Sequence, residues 1–125
     1  MRVLVVDDSA AVRARLVTLL RDVDGVELVA EAEDSERAVS VARVMTPHLV
    51  FLDLDLRGES GLDILRVLKD NPDAPTVVIL TNHAGDAYAA RCRALGADYF
   101  FDKSSQFQLA IDVARSNVAH FRGAV

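Results

Sequence analysis

Acidic residues directly follow two short apolar runs in this chain of 125 residues. Asp7 and Asp8 come after the run 3–6, and Asp53 comes after the run 49–52. A run of four apolar residues is too short for a typical helix and is typical of a buried strand in a parallel sheet. Open α/β sheets form their ligand crevice at the carboxyl ends of the strands, so we predict that the three carboxylates share one rim.

Two further polar side chains follow later apolar runs. Thr81 comes after 77–80, and Lys103 comes shortly after 99–101. Three carboxylates in one pocket repel one another, and a hard divalent cation that prefers oxygen ligands, such as magnesium, is the simplest reason for the cluster. With that metal, Asp53 can act as a nucleophile and form an acyl phosphate. Lys103 and the metal would neutralise the transferring group, and Thr81 would offer its hydroxyl to a phosphate oxygen.

The elements that must position these residues alternate regularly. Strands are predicted over 2–6, 26–30, 49–52, 76–80 and 97–101. A helix follows each strand, and Ser9 and Asp34 stand at the starts of the first two helices. The fourth helix is predicted to bury Tyr88, Cys92 and Leu95.

Five such units predict an α/β fold in three α/β/α layers, with a parallel sheet covered by five helices and joined by right-handed crossovers. The continuously apolar first, third and fourth strands favour central places, and the mixed second and fifth favour the edges. The flavodoxin-like order 2-1-3-4-5 meets both conditions. It also sets the first and third strands side by side, which brings Asp7, Asp8 and Asp53 together.

Composition narrows the function classes. The net charge is -5 with a pI of about 5.0, and the lack of a basic stripe argues against nucleic-acid binding by this segment. No run reaches transmembrane length and no signal peptide is recognisable, so we expect no membrane contact. Cys92 is the single cysteine, which fits a reducing cytoplasm. We expect one domain over 1–125, with no effector domain in this chain.

The chain resembles a response-regulator receiver domain of two-component signalling, of the chemotaxis-regulator type, from end to end. The matching pieces are Val5-Val6-Asp7-Asp8-Ser9, Leu52-Asp53-Leu54-Asp55-Leu56 with Gly61, Ile79-Leu80-Thr81 and Phe101-Asp102-Lys103. Each piece alone is a weak signal, but all four in order, each after its own strand, are highly specific.

The resemblance implies that Asp53 accepts a phosphoryl group from a sensor histidine kinase or a histidine phosphotransfer protein. It implies that Asp8 and Asp53 are side-chain ligands of magnesium, for which manganese can substitute. Asp7 would be a ligand through water, and Asp55 a ligand through its backbone carbonyl.

The resemblance also implies a switch. Thr81 and Lys103 would contact the phosphate, and Phe100 would be the aromatic residue that turns inward when Thr81 moves. The face formed by the fourth helix, fifth strand and fifth helix would then change for a downstream partner or an effector domain outside this chain. The domain would be no enzyme beyond self-phosphorylation and slow autodephosphorylation, acting as a monomer or a phosphorylation-dependent dimer.

Several positions depart from the family pattern. Arg57 and Ser104 stand where prolines are common, and we predict that Ser104 or Ser105 caps the last helix. Asn82 is larger than the residue often found after the threonine. With Asp55 and His83, Asn82 is expected to set the lifetime of the phosphorylated state.

The sequence leaves two alternatives open. Asp53-Leu54-Asp55 is similar to the first motif of haloacid-dehalogenase-type phosphatases, in which the first acid is the nucleophile and the second a general acid. That motif normally opens the chain, and Arg57 stands where threonine or valine is usual. A flavin-binding flavodoxin is disfavoured by the acidic pocket and by the absence of a phosphate-binding loop after the first strand.

Overall fold

Five parallel strands form one sheet in the computed structural model, which describes residues 1–82 and 85–123, with side chains described as far as 120. The strands are β1 (Arg2–Val6), β2 (Leu28–Ala32), β3 (Leu49–Leu52), β4 (Thr76–Thr81) and β5 (Tyr99–Asp102). The helices are α1 (Ala10–Arg21), α2 (Ser35–Met45), α3 (Gly61–Lys69), α4 (Asp86–Ala94) and α5 (Phe107–Gly123). The order across the sheet is β2-β1-β3-β4-β5, which confirms the predicted fold class and topology.

Burial follows the strand order. All four residues of β3 are buried, while the edge strands β2 and β5 consist of exposed and half-buried positions apart from the buried Ala32 at the end of β2. One core cluster lies between the sheet and α1 with α5, and includes Leu16 and Ile111. The second lies between the sheet and α2, α3 and α4, and includes Leu65 and Cys92. Two separate cores on opposite faces are what a three-layer fold requires.

The two edge strands begin later than predicted. We expected β2 over 26–30, but pairing with β1 runs from Arg2 opposite Leu28 to Val6 opposite Ala32. We expected β5 to start at Ala97, but the N–H of Ala97 donates to the Cys92 carbonyl at 2.9 Å. This bond, with left-handed Gly96 (φ 101°), forms the Schellman motif that ends α4, so Ala97 belongs to the helix end.

Two local predictions need correction. Tyr88 is exposed, and Ala89 takes its place in the core. Cys92 is buried as predicted, and Leu95 is half-buried against the same core cluster.

The Ser104 hydroxyl donates to Asp102 Oδ1 at 2.6 Å, and the N–H of Ser105 donates to the same oxygen at 3.1 Å. These bonds form a turn around Asp102. The first hydrogen bond of α5 runs from the N–H of Ala110 to the Gln106 carbonyl, so Gln106, and neither serine, occupies the N-cap position.

The loop after β3, for which no secondary structure is predicted, contains a short hairpin. Asp55–Leu56 pairs antiparallel with Glu59–Ser60, and Arg57 with Gly58 forms the two-residue turn between them. The hairpin leads directly into α3, so it lies between the buried strand β3 and the helix that covers the sheet.

Candidate functional site

Three carboxylates converge where β1 and β3 end. Strand pairing sets Val6 opposite Leu52, so Asp7 and Asp53 leave the sheet at the same level. The N–H of Asp53 donates to the Val6 carbonyl at 3.0 Å, which extends the ladder to the first residue of the rim. One carboxylate oxygen each from Asp7, Asp8 and Asp53 lies within 4.8 Å of the others. The predicted convergence is therefore present.

Burial distinguishes these acids from ordinary surface carboxylates. Among the side chains that the structure describes, the buried polar residues are Asp7 (2 % exposed), Asp53 (5 %) and Thr81 (0 %). Buried charges are costly unless they are paired, so burial of two acids at one rim needs compensation. All three residues belong to the set predicted from the sequence.

Lys103 supplies the compensation. Its Nζ lies 2.7 Å from Asp7 Oδ2 and 2.8 Å from Asp53 Oδ2, and the lysine side chain is only 11 % exposed. Burial alone would lower the pKa of Lys103, but its hydrogen bonds to Asp53 and Asp7, together with their charges, outweigh burial and raise it. One ammonium thus serves two carboxylates.

Asp7 is the acid at this rim whose pKa is raised. Burial raises its pKa, against the hydrogen bonds from Lys103 and from the Ser9 N–H, the latter 2.8 Å from Asp7 Oδ1. The proximity of Asp53 adds to the rise. A second positive charge at this rim would favour the ionised form of Asp7 and so lower its pKa. Three carboxylates are a donor set that fits a hard divalent cation.

Sequence reasoning missed Arg13. Its Nη1 donates to the Asp7 carbonyl oxygen at 2.6 Å, and its Nε lies 3.3 Å from Glu31 Oε1. Arg13 therefore ties α1 to the ends of β1 and β2. The signal was an arginine near the start of a helix, where the helix dipole disfavours positive charge.

The hairpin after β3 contributes main-chain groups. The N–H of Asp55 donates to Asp53 Oδ1 and the N–H of Arg57 donates to Asp8 Oδ2, each at 3.3 Å. The carboxylate of Asp55 is exposed and lies outside the three-carboxylate cluster. The end of this loop packs so closely on the residues that follow β3 that position 61 requires glycine. A Cβ at Gly61 would lie 2.9 Å from the Cα of Leu54 and against the backbone of Asp53.

The remaining predicted residues lie at the end of the sheet. Thr81 ends β4, and its carbonyl accepts from the Lys103 N–H at 2.9 Å. Phe100 is half-buried and packs against the core cluster of α2, α3 and α4. Asn82 is exposed. His83 lies outside the described residues.

Known proteins share this pattern. The sequence matches the family described as response regulator receiver domain over residues 3–115, a span that contains the whole acidic rim and Lys103. The chain belongs to the response-regulator receiver family. The resemblance inferred from the four motifs is therefore confirmed.

Related proteins support the same family. The chain is 33 % identical over 115 residues to response regulator GacA of Pseudomonas protegens, covering 91 % of this chain and 54 % of that protein. It is 36 % identical over 95 residues to the protein-glutamate methylesterase/protein-glutamine glutaminase of Desulfotalea psychrophila, covering 76 % of this chain and 26 % of that enzyme. The chain thus spans about half, or less, of the length of these two relatives.

Solved structures agree on the fold. A two-component response regulator of the LuxR family from Aurantimonas superposes with a TM-score of 0.84 at 31 % identity, covering 95 % of this receiver and 85 % of that chain. The receiver domain of a DNA-binding response regulator from Colwellia psychrerythraea superposes with a TM-score of 0.87 at 24 % identity, covering 95 % and 98 %.

The alternatives gain no support. None of the relatives and structures named above is a haloacid-dehalogenase phosphatase or a flavodoxin. Within 1–82 and 85–123, no helix combines the length and apolar character that membrane crossing requires.

Proposed function

We propose that this receiver is the phospho-accepting domain of a two-component phosphorelay, and that Asp53 is the residue phosphorylated. The observation that carries the proposal is the buried triad of Asp7, Asp53 and Lys103, with Nζ within 2.8 Å of both acids. A nucleophilic carboxylate beside a fixed ammonium is suited to phosphoryl transfer, which asks a protein for positioning and charge neutralisation.

The step is a displacement at phosphorus. A carboxylate oxygen of Asp53 attacks the phosphoryl group of a phosphohistidine on a sensor histidine kinase or a histidine phosphotransfer protein. The new O–P bond forms as the P–N bond breaks, and the bonding pair leaves with the imidazole nitrogen. The Lys103 ammonium already donates to Asp53 Oδ2, where it can neutralise the negative charge of the incoming phosphoryl oxygens.

A divalent cation belongs to this proposal. Asp7, Asp8 and Asp53 would hold Mg²⁺, or Mn²⁺ in its place, with the backbone carbonyl of Asp55 as a further ligand. The cation would supply the positive charge that one ammonium cannot give to three carboxylates and a phosphoryl group.

The output is a change of surface. Phosphorylation adds about -1.5 to -2 charge and strong acceptor oxygens beside the end of β4, where Thr81 is fully buried. A hydrogen bond from Thr81 to the phosphate would favour one of two states, and Phe100 would follow into the space released. The α4–β5–α5 face would then bind a downstream protein, an effector domain outside this chain or a second receiver.

Side chains around the rim would set how long the signal lasts. Asp55 and Asn82 are exposed and follow Asp53 and Thr81 at the ends of their strands, where they can orient or obstruct an attacking water. His83 is assigned the same role from its position in the sequence. The domain would act in the cytoplasm, without direct contact with nucleic acid or membrane, and without sustained turnover of substrate.

Labelling with acetyl phosphate tests the proposal. We expect one phosphoryl group per chain in the presence of Mg²⁺, seen as a mass increase, and no labelling after chelation. Asp53→Asn replaces the nucleophilic carboxylate with a neutral amide and should abolish labelling. Asp63→Asn, which changes an exposed aspartate on α3, is the matched control and should label normally. Unchanged labelling of Asp53→Asn would move the nucleophile elsewhere, and sustained hydrolysis of a small phosphomonoester would indicate an enzyme.

A further inference from the structure

The turn after β3 has an unusual backbone for its sequence. Arg57 and Gly58 form a two-residue hairpin turn, and both have positive φ angles, 53° and 82°. Positive φ at both central residues is the type I′ geometry that matches the twist of a hairpin. Proline, which is common in the family at the position of Arg57, holds φ near −65° and has no N–H. This turn therefore excludes proline at position 57.

The turn places a main-chain donor on the neighbouring loop. The N–H of Arg57 donates to Asp8 Oδ2 at 3.3 Å, so a bond joins the loop after β3 to the loop after β1. A carboxylate has two oxygens and about four lone-pair sites, so this bond is compatible with metal ligation by the same side chain. With the bond in place, one carboxylate oxygen of Asp8 lies within 4.8 Å of one oxygen each from Asp7 and Asp53, close enough for the three to share one cation.

The side chain of Arg57 contributes less than its main chain. The guanidinium lies 3.4 Å from Glu33 Oε2, with side chains 60 % and 49 % exposed. Exposed ion pairs of this kind stabilise little, since water screens them and two flexible chains must be ordered. The backbone N–H, in contrast, is directed by the turn itself.

We propose that Arg57 is a positioning residue for the metal site. Its N–H, presented by the left-handed turn, holds Asp8 in the orientation in which three carboxylates can ligate one divalent cation. The inference rests on the proposed phosphorelay function, because that function requires the cation. It predicts that the conformation of the turn, and not the charge of Arg57, controls affinity for the metal.

Binding of Mn²⁺ measured by the electron paramagnetic resonance of the free ion, without any phosphodonor, tests this. Arg57→Pro removes the N–H and opposes the positive φ, so the dissociation constant should rise about three- to tenfold. Arg57→Gly removes the same side chain but keeps the N–H and permits the φ. It should bind Mn²⁺ at least about threefold more tightly than Arg57→Pro.

Gly58→Val provides a second route to the same perturbation. A Cβ at Gly58 meets nothing within 4 Å, and a β-branched residue opposes the positive φ of 82°, so this variant perturbs the backbone conformation of the turn and should also weaken binding. Arg66→Ala on α3, whose side chain is 63 % exposed, is the matched loss of a surface guanidinium and should bind as the unmodified receiver does. Urea unfolding in chelator reports whether each variant is folded.

The outcomes separate the two proposals. If the unmodified receiver binds no Mn²⁺, the proposed function fails first. If it binds, and Arg57→Pro and Gly58→Val match Arg57→Gly, the positioning role is overturned while the proposed function stands. If Arg57→Pro does not fold, Gly58→Val against Arg57→Gly decides the question. Weakening by Arg57→Gly as large as by Arg57→Pro would assign the effect to the guanidinium.

Discussion

Replacing Lys103 by methionine should make the stability of this receiver depend on pH and on Mg²⁺. The ammonium is hydrogen-bonded to Asp7 at 2.7 Å and to Asp53 at 2.8 Å, and both carboxylates are almost completely buried. Methionine keeps an unbranched chain of similar length but removes the charge. Two buried carboxylates then lack their cation.

The magnitude follows from what can replace the ammonium. Breaking a buried ion pair by removing one partner typically costs about 3–5 kcal/mol. A proton taken up by one carboxylate limits this cost. Protonating an aspartate of ordinary pKa, about 3.9, costs about 4 kcal/mol at pH 7 and about 1.5 kcal/mol at pH 5. Burial already raises the pKa of Asp7 in the unmodified receiver, so part of the cost of burying this carboxylate is present before the substitution. The additional loss caused by Lys103→Met is therefore below this limit. We therefore expect a loss of about 3–4 kcal/mol at pH 7 and about 1 kcal/mol at pH 5.

Urea unfolding in chelator at both pH values measures the loss, as the difference between the variant and the unmodified receiver. Adding Mg²⁺ should stabilise the variant more, because the cation replaces the missing charge. Lys69→Met is the control: Lys69 lies 2.7 Å from Asp98, a carboxylate 40 % exposed that water can solvate, so its loss should be small and independent of Mg²⁺. Equal losses for Lys103→Met at pH 5 and pH 7, or a loss below about 1 kcal/mol at pH 7, would refute this account of the rim.

Two further predictions concern buried positions in the core. Gly61→Ala should destabilise the receiver by about 3 kcal/mol in urea unfolding, because the new methyl group meets the backbone at Asp53 and Leu54. Gly85→Ala, whose methyl group meets nothing within 4 Å, should cost less than about 1 kcal/mol, the cost of alanine at the N-cap of α4. Cys92 is fully buried and burial raises the pKa of its thiol, so iodoacetamide at pH 8 should label it only after unfolding; rapid labelling of the folded protein would contradict its core position.

The strand pattern and the rim could be predicted because they depend on local signals. An unbroken apolar run such as 49–52 has one sensible place, in the centre of a parallel sheet, and the acid after it must then lie at the rim. The edge strands were less predictable. Ala97 is apolar enough for a strand, but its N–H is used by the end of α4, which depends on the conformation of Gly96.

The hairpin after β3 could not be predicted for a different reason. Its first turn residue is Arg57, and arginine carries no preference for positive φ, unlike the asparagine or aspartate usual before glycine in such turns. The contact of the turn with Asp8 depends on tertiary placement of two loops 49 residues apart. Sequence periodicity holds no information about that contact.

Aromatic residues alternate along β5, so a change in one of these side chains affects the two faces of the sheet differently. Phe100 packs on the side of α2, α3 and α4, whereas Phe101 packs on the side of α1 and α5. Phe101 also stacks on Tyr99, with ring centroids 6.1 Å apart, so these two rings form a pair on the face of β5 opposite Phe100. A rotation of Phe100 would therefore change packing on the α4 side directly, but would change packing against α5 only if the strand itself moved.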